Sequence, residues 1–529
     1  MFQINSIKGK ITPLTKKIKT ITISVIAVIL LLIIVLVVIL TYYRKKYPAD
    51  VNLNGVYADI STMDFEFSKR DLDSGYDSKA ATNISCINGV IDISKNTDIM
   101  VNDNAITITA EGCYRLTGEF NNKALIVDAK DTHKIQLVLD NCNINNDNGP
   151  AVYLKSADKV FITLADSSVN TLSDGSNYEY IDGETSVDGT IFSKSDLTLN
   201  GDGTLIVGGN YKHGIVSKDD LVIASGTYEI TSVKKGVNGK DCVKINDCVM
   251  TITSGTDGIC SNNTEDSHRG FVYINNGNLN ISCGKDGIQA ETVINLDNPT
   301  INIVSGGGSA NAPKKESNNH RGGRKGRDEV VETTVDTPSI KGLKAGKDII
   351  IANGKYIFDT YDDSVHANNS IKISGGNFVI KSGDDGFHAE NTLLVENGYI
   401  DVVTCYEGLE AYQILITGGE TYVISSDDGV NATSADADDK DESIARFLNP
   451  SQTGRFEVTG GILAVNTLGD GLDSNGTMKI TGGKIYVAGP ADGGNDSFDC
   501  DYKYIEVPDS EDEDSFLIEI TKDRFNTLR

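Results

Sequence analysis

A short motif that returns about every 22 residues constrains this chain more than any other feature. Between positions 340 and 433 it occurs as Asp363-Ser364-Val365-His366-Ala367, Asp385-Gly386-Phe387-His388-Ala389, Glu407-Gly408-Leu409-Glu410-Ala411 and Asp428-Gly429-Val430-Asn431-Ala432. Its second position steps from 364 to 386, 408 and 429. A turn pair follows each of the first three copies (Gly375-Gly376, Asn397-Gly398, Gly418-Gly419), and a new apolar run begins just past it. A fixed period in this range marks a repeat architecture, in which each unit buries its apolar face only against its neighbours.

The runs between turns are short and alternate apolar with polar residues, as in Ala105-Ile106-Thr107-Ile108 and Lys159-Val160-Phe161-Ile162-Thr163-Leu164. That pattern suits strands with one face inward, and 53 Gly with many Asn and Asp suits tight turns between them. A solenoid of about 22-residue coils with roughly three strands per turn predicts an all-β chain folded as a right-handed parallel β-helix. The motif extends back through His213-Gly214-Ile215, Lys235-Gly236-Val237, Asp257-Gly258-Ile259, Asp286-Gly287-Ile288 and Lys341-Gly342-Leu343. Forward, it continues as Asp470-Gly471-Leu472-Asp473 and Asp496-Ser497-Phe498-Asp499. Two irregular steps predict loop insertions at 305–339 and 434–454.

Residues 20–43 carry no charge, and Ile21–Leu40 is nearly all Ile, Leu and Val. This is about the length of a bilayer-spanning helix, and no small-residue cleavage site follows it. The reading is an uncleaved N-terminal transmembrane helix at 21–43. Lys8, Lys10, Lys16, Lys17 and Lys19 before it outnumber Arg44, Lys45 and Lys46 after it. That bias predicts a cytoplasmic tail (1–20), a single pass through the cell membrane, and an extracellular C-terminal domain. A stalk or N-terminal cap is expected at 44–85, the β-helix at 86–505 and a C-terminal cap at 506–529.

The net charge is −27 although residues 1–49 hold eight Lys or Arg and no acid. So acidic a domain repels nucleic acid and favours divalent cations or neutral polymers. Nine cysteines lie at irregular spacings with no paired CxxC, which disfavours zinc and fits small residues buried between coils.

Stacking the coils places like positions in columns. The first column is Asp363, Asp385, Glu407, Asp428, Asp470 and Asp496. The second is His366, His388, Glu410, Asn431, Asp473 and Asp499, and Asp362, Asp384 and Asp427 flank the first. Carboxylates stacked at about 5 Å repel unless a cation or a proton neutralises them. Calcium suits many flexible oxygen ligands and is the expected cofactor; turn chemistry without metal is the alternative.

The array resembles the calcium-binding, polysaccharide-lyase-like β-helix family of carbohydrate-binding-domain-containing proteins from clostridia and related Firmicutes. The repeated Asp-Gly turns, the Gly-Gly and Asn-Gly turns and the Gly-rich stretch Gly306–Ala312 carry the likeness. It implies a parallel β-helix, bound calcium, surface display, and binding of cellulose or an acidic plant polysaccharide. The spacing Asp384-Asp385 to His388 is also similar to the calcium cluster of pectate-lyase-type enzymes, but His or Asn replaces the last acid in three copies. Lysines near the columns are scattered, so no base for a lyase stands out. The expected function is non-catalytic polysaccharide binding, with Tyr361 and Tyr406 as candidate sugar contacts. A calcium-dependent polysaccharide lyase and a structural adhesin are the alternatives.

Overall fold

Short strands follow one another along most of the described residues from Thr82 onward, and most pair with the strand three places further on. The computed structural model describes residues 29–30, 33–35, 60–95, 98–179, 186–314, 339–433, 453–489, 495–501, 503–506 and 516–529. These form 42 strands in one hydrogen-bonded sheet.

Three ladders run side by side. One links Val237–Gly239, Ile259–Ser261, Ile288–Ala290, Leu343–Ala345, Val365–Ala367 and Phe387–Val395, and continues to Phe498–Cys500. The second passes through Cys242–Ile245, Phe271–Ile274, Ile294–Leu296, Asp348–Ile351 and Ser370–Ile373. The third passes through Cys248–Ser254, Asn278–Cys283, Thr300–Ser305, Lys355–Thr360, Asn377–Ser382 and Tyr399–Cys405. All these pairings are parallel.

The expected right-handed parallel β-helix with a transmembrane helix is corrected to an all-β fold with one large mixed sheet. Thr82–Ile87 pairs antiparallel with Val90–Ile93, and Ile99–Val101 with Ala105–Ile108. The cause is local. Asn88 and Gly89 both take positive φ (53° and 79°), and a two-residue turn of that kind joins neighbouring strands head to tail.

Among the described residues no helix is long and apolar enough to cross a membrane. The expected span at 21–43 lies outside the described residues except for Ile29, Leu30 and Ile33–Val35, which are helical and exposed. The transmembrane helix, the membrane contact and the single-pass location are corrected together, since hydropathy of that one segment carried all three. Most of the two expected insertions (315–338 and 434–452) and the acidic stretch 507–515 also lie outside the described residues.

Alternation along the strands builds the core. Cys248–Ser254 and Lys355–Thr360 bury every second residue. Inward residues repeat coil after coil, so aromatic rings meet: Tyr356 stacks on Phe378 with centroids 4.5 Å apart, and Phe378 meets Phe387 edge-on at 5.8 Å. Each such fully buried side chain contributes about 1.5–3 kcal/mol.

The second motif position lies where successive copies touch. A Cβ on Gly386 would sit 2.6 Å from the carbonyl oxygen of Gly408, and one on Gly408 2.3 Å from that of Gly429. The same carbonyls accept the ladder bonds Phe387 N–H to Gly408 O (3.1 Å) and Leu409 N–H to Gly429 O (3.3 Å). At Gly386 and Gly408 glycine therefore serves close stacking rather than turn geometry.

Two terminal segments pack along the outside of the stack. Residues 60–73 lie along the outside of the second ladder: Phe65 packs on Phe271 and Tyr273, each at 5.1 Å. Asp71 is buried there against Lys159 Nζ (2.8 Å) and Thr198 Oγ1 (2.6 Å). At the other end the helix Lys522–Leu528, capped by Thr521, buries Phe525 against Tyr422, Ala464 and Ala488.

Candidate functional site

The edge where the motif turns into the first ladder carries both polar columns. Strand register fixes the second column: Asn238, Cys260, Gln289, Lys344, His366, His388, Glu410, Asn431, Asp473 and Asp499 are successive partners. The first column is fixed by backbone bonds from each motif to the next, such as Gly386 N–H to Glu407 O (2.9 Å) and Gly429 N–H to Asp470 O (2.9 Å).

The acids of the first column also use one oxygen structurally. Asp363 Oδ1 accepts the N–H of Asp385 (3.1 Å), and Asp385 Oδ1 that of Glu407 (3.2 Å). Asp428 Oδ1 accepts the N–H of Asp470, and Asp470 Oδ1 that of Asp496, both at 2.6 Å. The repeating acid therefore serves the turn through Oδ1. In Asp363 and Asp385 the other oxygen, Oδ2, meets His366 (2.9 Å) and His388 (3.3 Å) of the second column.

Ligand-type atoms lie within 4.8 Å of one another in the groups Asp362, Asp363 and Asp384; Asp363, His366 and His388; Asp385, His388 and Glu410; and Asp428, Asp470 and Asp473. Asn431 joins the column through its amide, which donates to Glu407 Oε2 (3.0 Å). Asp427, Asp496 and Asp499 flank the last group without completing one of the triads.

Along the column the charge balance changes. Lys235 meets Asp257 (3.2 Å), and Lys344 lies 3.9 Å from Asp286. Lys341 Nζ binds Asp362 (3.0 Å) and Asp363 (2.5 Å). His366 Nδ1 lies 2.9 Å from Asp363 Oδ2, and His388 Nδ1 lies 3.3 Å from Asp385 and 3.2 Å from Glu410. Burial works against the charge of Asp363, yet the His366 hydrogen bond and the Lys341 charge outweigh it and hold the carboxyl below its usual range. Likewise His388 is raised by Asp385 and Asp363 despite its burial.

Past His388 the cations stop. Among the described residues none of Glu407, Asp428, Asp470 and Asp473 forms an ion pair with Lys, Arg or His. Burial, then the neighbouring acids, push Asp428 up to about 7 and Asp473 up to about 8. Glu410 rises to about 11, and Glu407 well above its ordinary value, for the same reasons.

Of the candidate sugar contacts, Tyr406 is half-buried beside the column, its hydroxyl pushed up by burial and by a hydrogen bond to Asp427. Tyr361 is half-buried, with its Cβ against Gly306. Sequence reasoning missed two things. Lys341 and Lys344 neutralise the acids of adjacent coils, which only their reach across the stack reveals. Asp196, Asp219 and Asp220 form a separate acidic group within 4.8 Å, with Asp196 pushed up to about 6 by burial and then by Asp220; the pair Asp219-Asp220 was its only signal.

Fold and edge together define a stacked all-β repeat protein with a continuous polar column along one edge. The chain belongs to the family of carbohydrate-binding-domain-containing proteins, whose profile matches residues 102–386. A relative of that description from Acetivibrio thermocellus is 33% identical over 210 residues, 40% of this chain and 73% of the relative. A solved polysaccharide lyase-like protein from C. thermocellum, a gadolinium derivative, is 32% identical and covers 43% of this chain and 92% of its own, with a TM-score of 0.42. The family match ends at 386, just before the part of the column that lacks cations.

Proposed function

We propose that this protein binds polysaccharide without cleaving it, and that calcium braces its C-terminal coils by neutralising the acids from Glu407 to Asp499. Family membership supports carbohydrate binding. The observation that carries the calcium reading is the half-buried run Glu407, Asp428, Asp470 and Asp473 with no Lys, Arg or His partner among the described residues. Carboxylate oxygens at close spacing suit a hard cation that takes six to eight oxygens. Upstream, Lys341 and His388 already supply counter-charge for Asp362, Asp363 and Asp385, and His366 Nδ1 lies 2.9 Å from Asp363 Oδ2. Calcium therefore falls mainly to the downstream residues, with Asp384 and Asp427 as flanking donors.

A lyase would need a neutral Lys or a free Arg near a metal-bound uronate. The lysines of the column are paired with carboxylates, and Lys341 is held well above its ordinary pKa by Asp363 and Asp362 despite burial. That supports the non-catalytic reading. Cellulose and polygalacturonate are the polymers to test, with Tyr361 and Tyr406 as contacts beside the column.

Calorimetry of calcium binding to the full chain, with retention on immobilised cellulose and polygalacturonate, tests both parts. Saturable calcium binding that Asp428→Asn with Asp473→Asn removes is expected, as is retention on one of the polymers. New ultraviolet absorbance from polygalacturonate would establish the lyase instead. Absence of retention on any glycan would leave a structural adhesin.

A further inference from the structure

Cys260 occupies a position in the second column where other coils place Lys344, His366 or Glu410. It is fully buried, and all nine cysteines of the chain are free thiols. Its sulfur has an unusual neighbour. Lys235 Nζ lies 2.8 Å from Cys260 Sγ, inside the sum of the two atoms' van der Waals radii. The next polar neighbour of the sulfur, Gln289 Oε1, is at an ordinary 3.7 Å.

Both partners are held in place. The backbone N–H of Lys235 donates to His213 Nδ1 (3.1 Å), and its ammonium also meets Asp257 Oδ2 (3.2 Å). Cys260 lies within Ile259–Ser261, paired on both sides by parallel strands. The amine therefore reaches across from one coil to the sulfur of the next, with a carboxylate beside it.

We propose that Lys235 and Cys260 form a reversible covalent bridge through one oxygen atom, Cys260 Sγ–O–Nζ Lys235, with dioxygen as oxidant. In the step, Asp257 accepts the ammonium proton of Lys235. The S–H bond of Cys260 and one N–H bond of Lys235 break, and S–O and O–N bonds form. Sulfur and nitrogen each give up two electrons. One atom of dioxygen remains as the bridge, and the other leaves with the two hydrogens as water. Two equivalents of a dithiol, supplying four electrons and four protons, restore the thiol and the amine and release the bridging oxygen as water, as thiols also reduce other singly oxygenated cysteines. The bridge ties the turn before Val237–Gly239 to the following coil, where a stack of this kind depends on neighbour contacts.

The same pair without a bridge is a buried thiol beside an ammonium, which an alkylating reagent captures once the chain is unfolded. Peptide mapping of the full chain, purified in air and alkylated in denaturant without reductant, separates the two. A linked species joining the Lys235 and Cys260 peptides, heavier than their sum by one oxygen less two hydrogens, is expected. It should vanish after dithiothreitol, under strict anaerobiosis, and in Cys260→Ser and Lys235→Arg. Melting provides a second readout. Wild type should melt higher before reduction than after, and Cys260→Ser should show no such difference. Separate recovery of the two peptides with alkylated Cys260 after exposure to air would overturn the proposal, as would Cys260 found only as its sulfinic acid.

Discussion

Asp473 is one register step past Asn431 and one before Asp499, within reach of Asp428 and Asp470. Burial first, then Asp428 and Asp470, raise its pKa to about 8, against about 4 for an unfolded carboxyl. Asp428 rises to about 7 in the same way. Between these limits the folded chain binds more protons than the unfolded chain, so stability falls as pH rises from about 4 to about 8. In chelator, the melting temperature should drop across that window. With calcium present the drop should disappear, since metal replaces the protons. Asp473→Asn should raise the melting temperature in chelator near pH 8 by several degrees and shrink the calcium increment. A chelated protein whose melting temperature is flat from pH 5 to 8 would remove the electrostatic basis of the proposal. Lys341 gives the opposite case. It pairs with Asp362 and Asp363, the latter only 2% exposed. Lys341→Met strands these charges and should cost about 3–5 kcal/mol in urea unfolding.

Strand by strand, the stack depends on glycine more than on the acid. A Cβ on Gly408 would meet Gly429 O at 2.3 Å and Val423 Cγ1 at 2.4 Å, and neither is the tip of a flexible chain. Gly408→Ala should therefore destabilise by about 1–3 kcal/mol, read from the same urea titration, with or without calcium. This requirement is why the repeat was legible in sequence: the inward apolar residues recur in every copy and the Gly in most, with Ser364 and Ser497 as exceptions, while the acid that bonds the next coil's N–H recurs from Asp363 onward and gives way to His213, Lys235 and Lys341 in earlier copies. What the period could not reveal depends on reach or on distant packing. Lys344 lies one step before His366 in the same column but acts on Asp286. The docking of Asp71 onto Lys159 and Thr198 joins residues 127 apart in sequence for Thr198, and no periodicity encodes it. The hairpin at Asn88-Gly89 carried a turn signal, but the repeat reading absorbed it into a wholly parallel stack.

Across the whole molecule, the change in charge balance near His388 divides the column into two regimes on one continuous core. Upstream, Lys235, Lys341, Lys344 and His388 face Asp257, Asp286, Asp362, Asp363 and Asp385, and His366 hydrogen-bonds Asp363. Downstream, Glu407, Asp428, Asp470 and Asp473 have no such partners among the described residues. In a stack of nearest-neighbour units, stability need not be uniform, and a local perturbation opens local units first. Removing calcium should therefore act on one end only. Hydrogen exchange in chelator should speed up for amides of Leu409–Ile416, Val430–Ala432 and Leu472–Ser474. Exchange in Val237–Gly239, Ile259–Ser261 and Ile288–Ala290 should be unchanged. The contrast should also grow as pH rises from about 5 to about 8, because protons stand in for the metal at the lower value. Uniform loss of protection along the stack would mean that the metal, if bound, braces the molecule as one unit. No change at either end would mean that protons and turn hydrogen bonds alone hold the downstream acids.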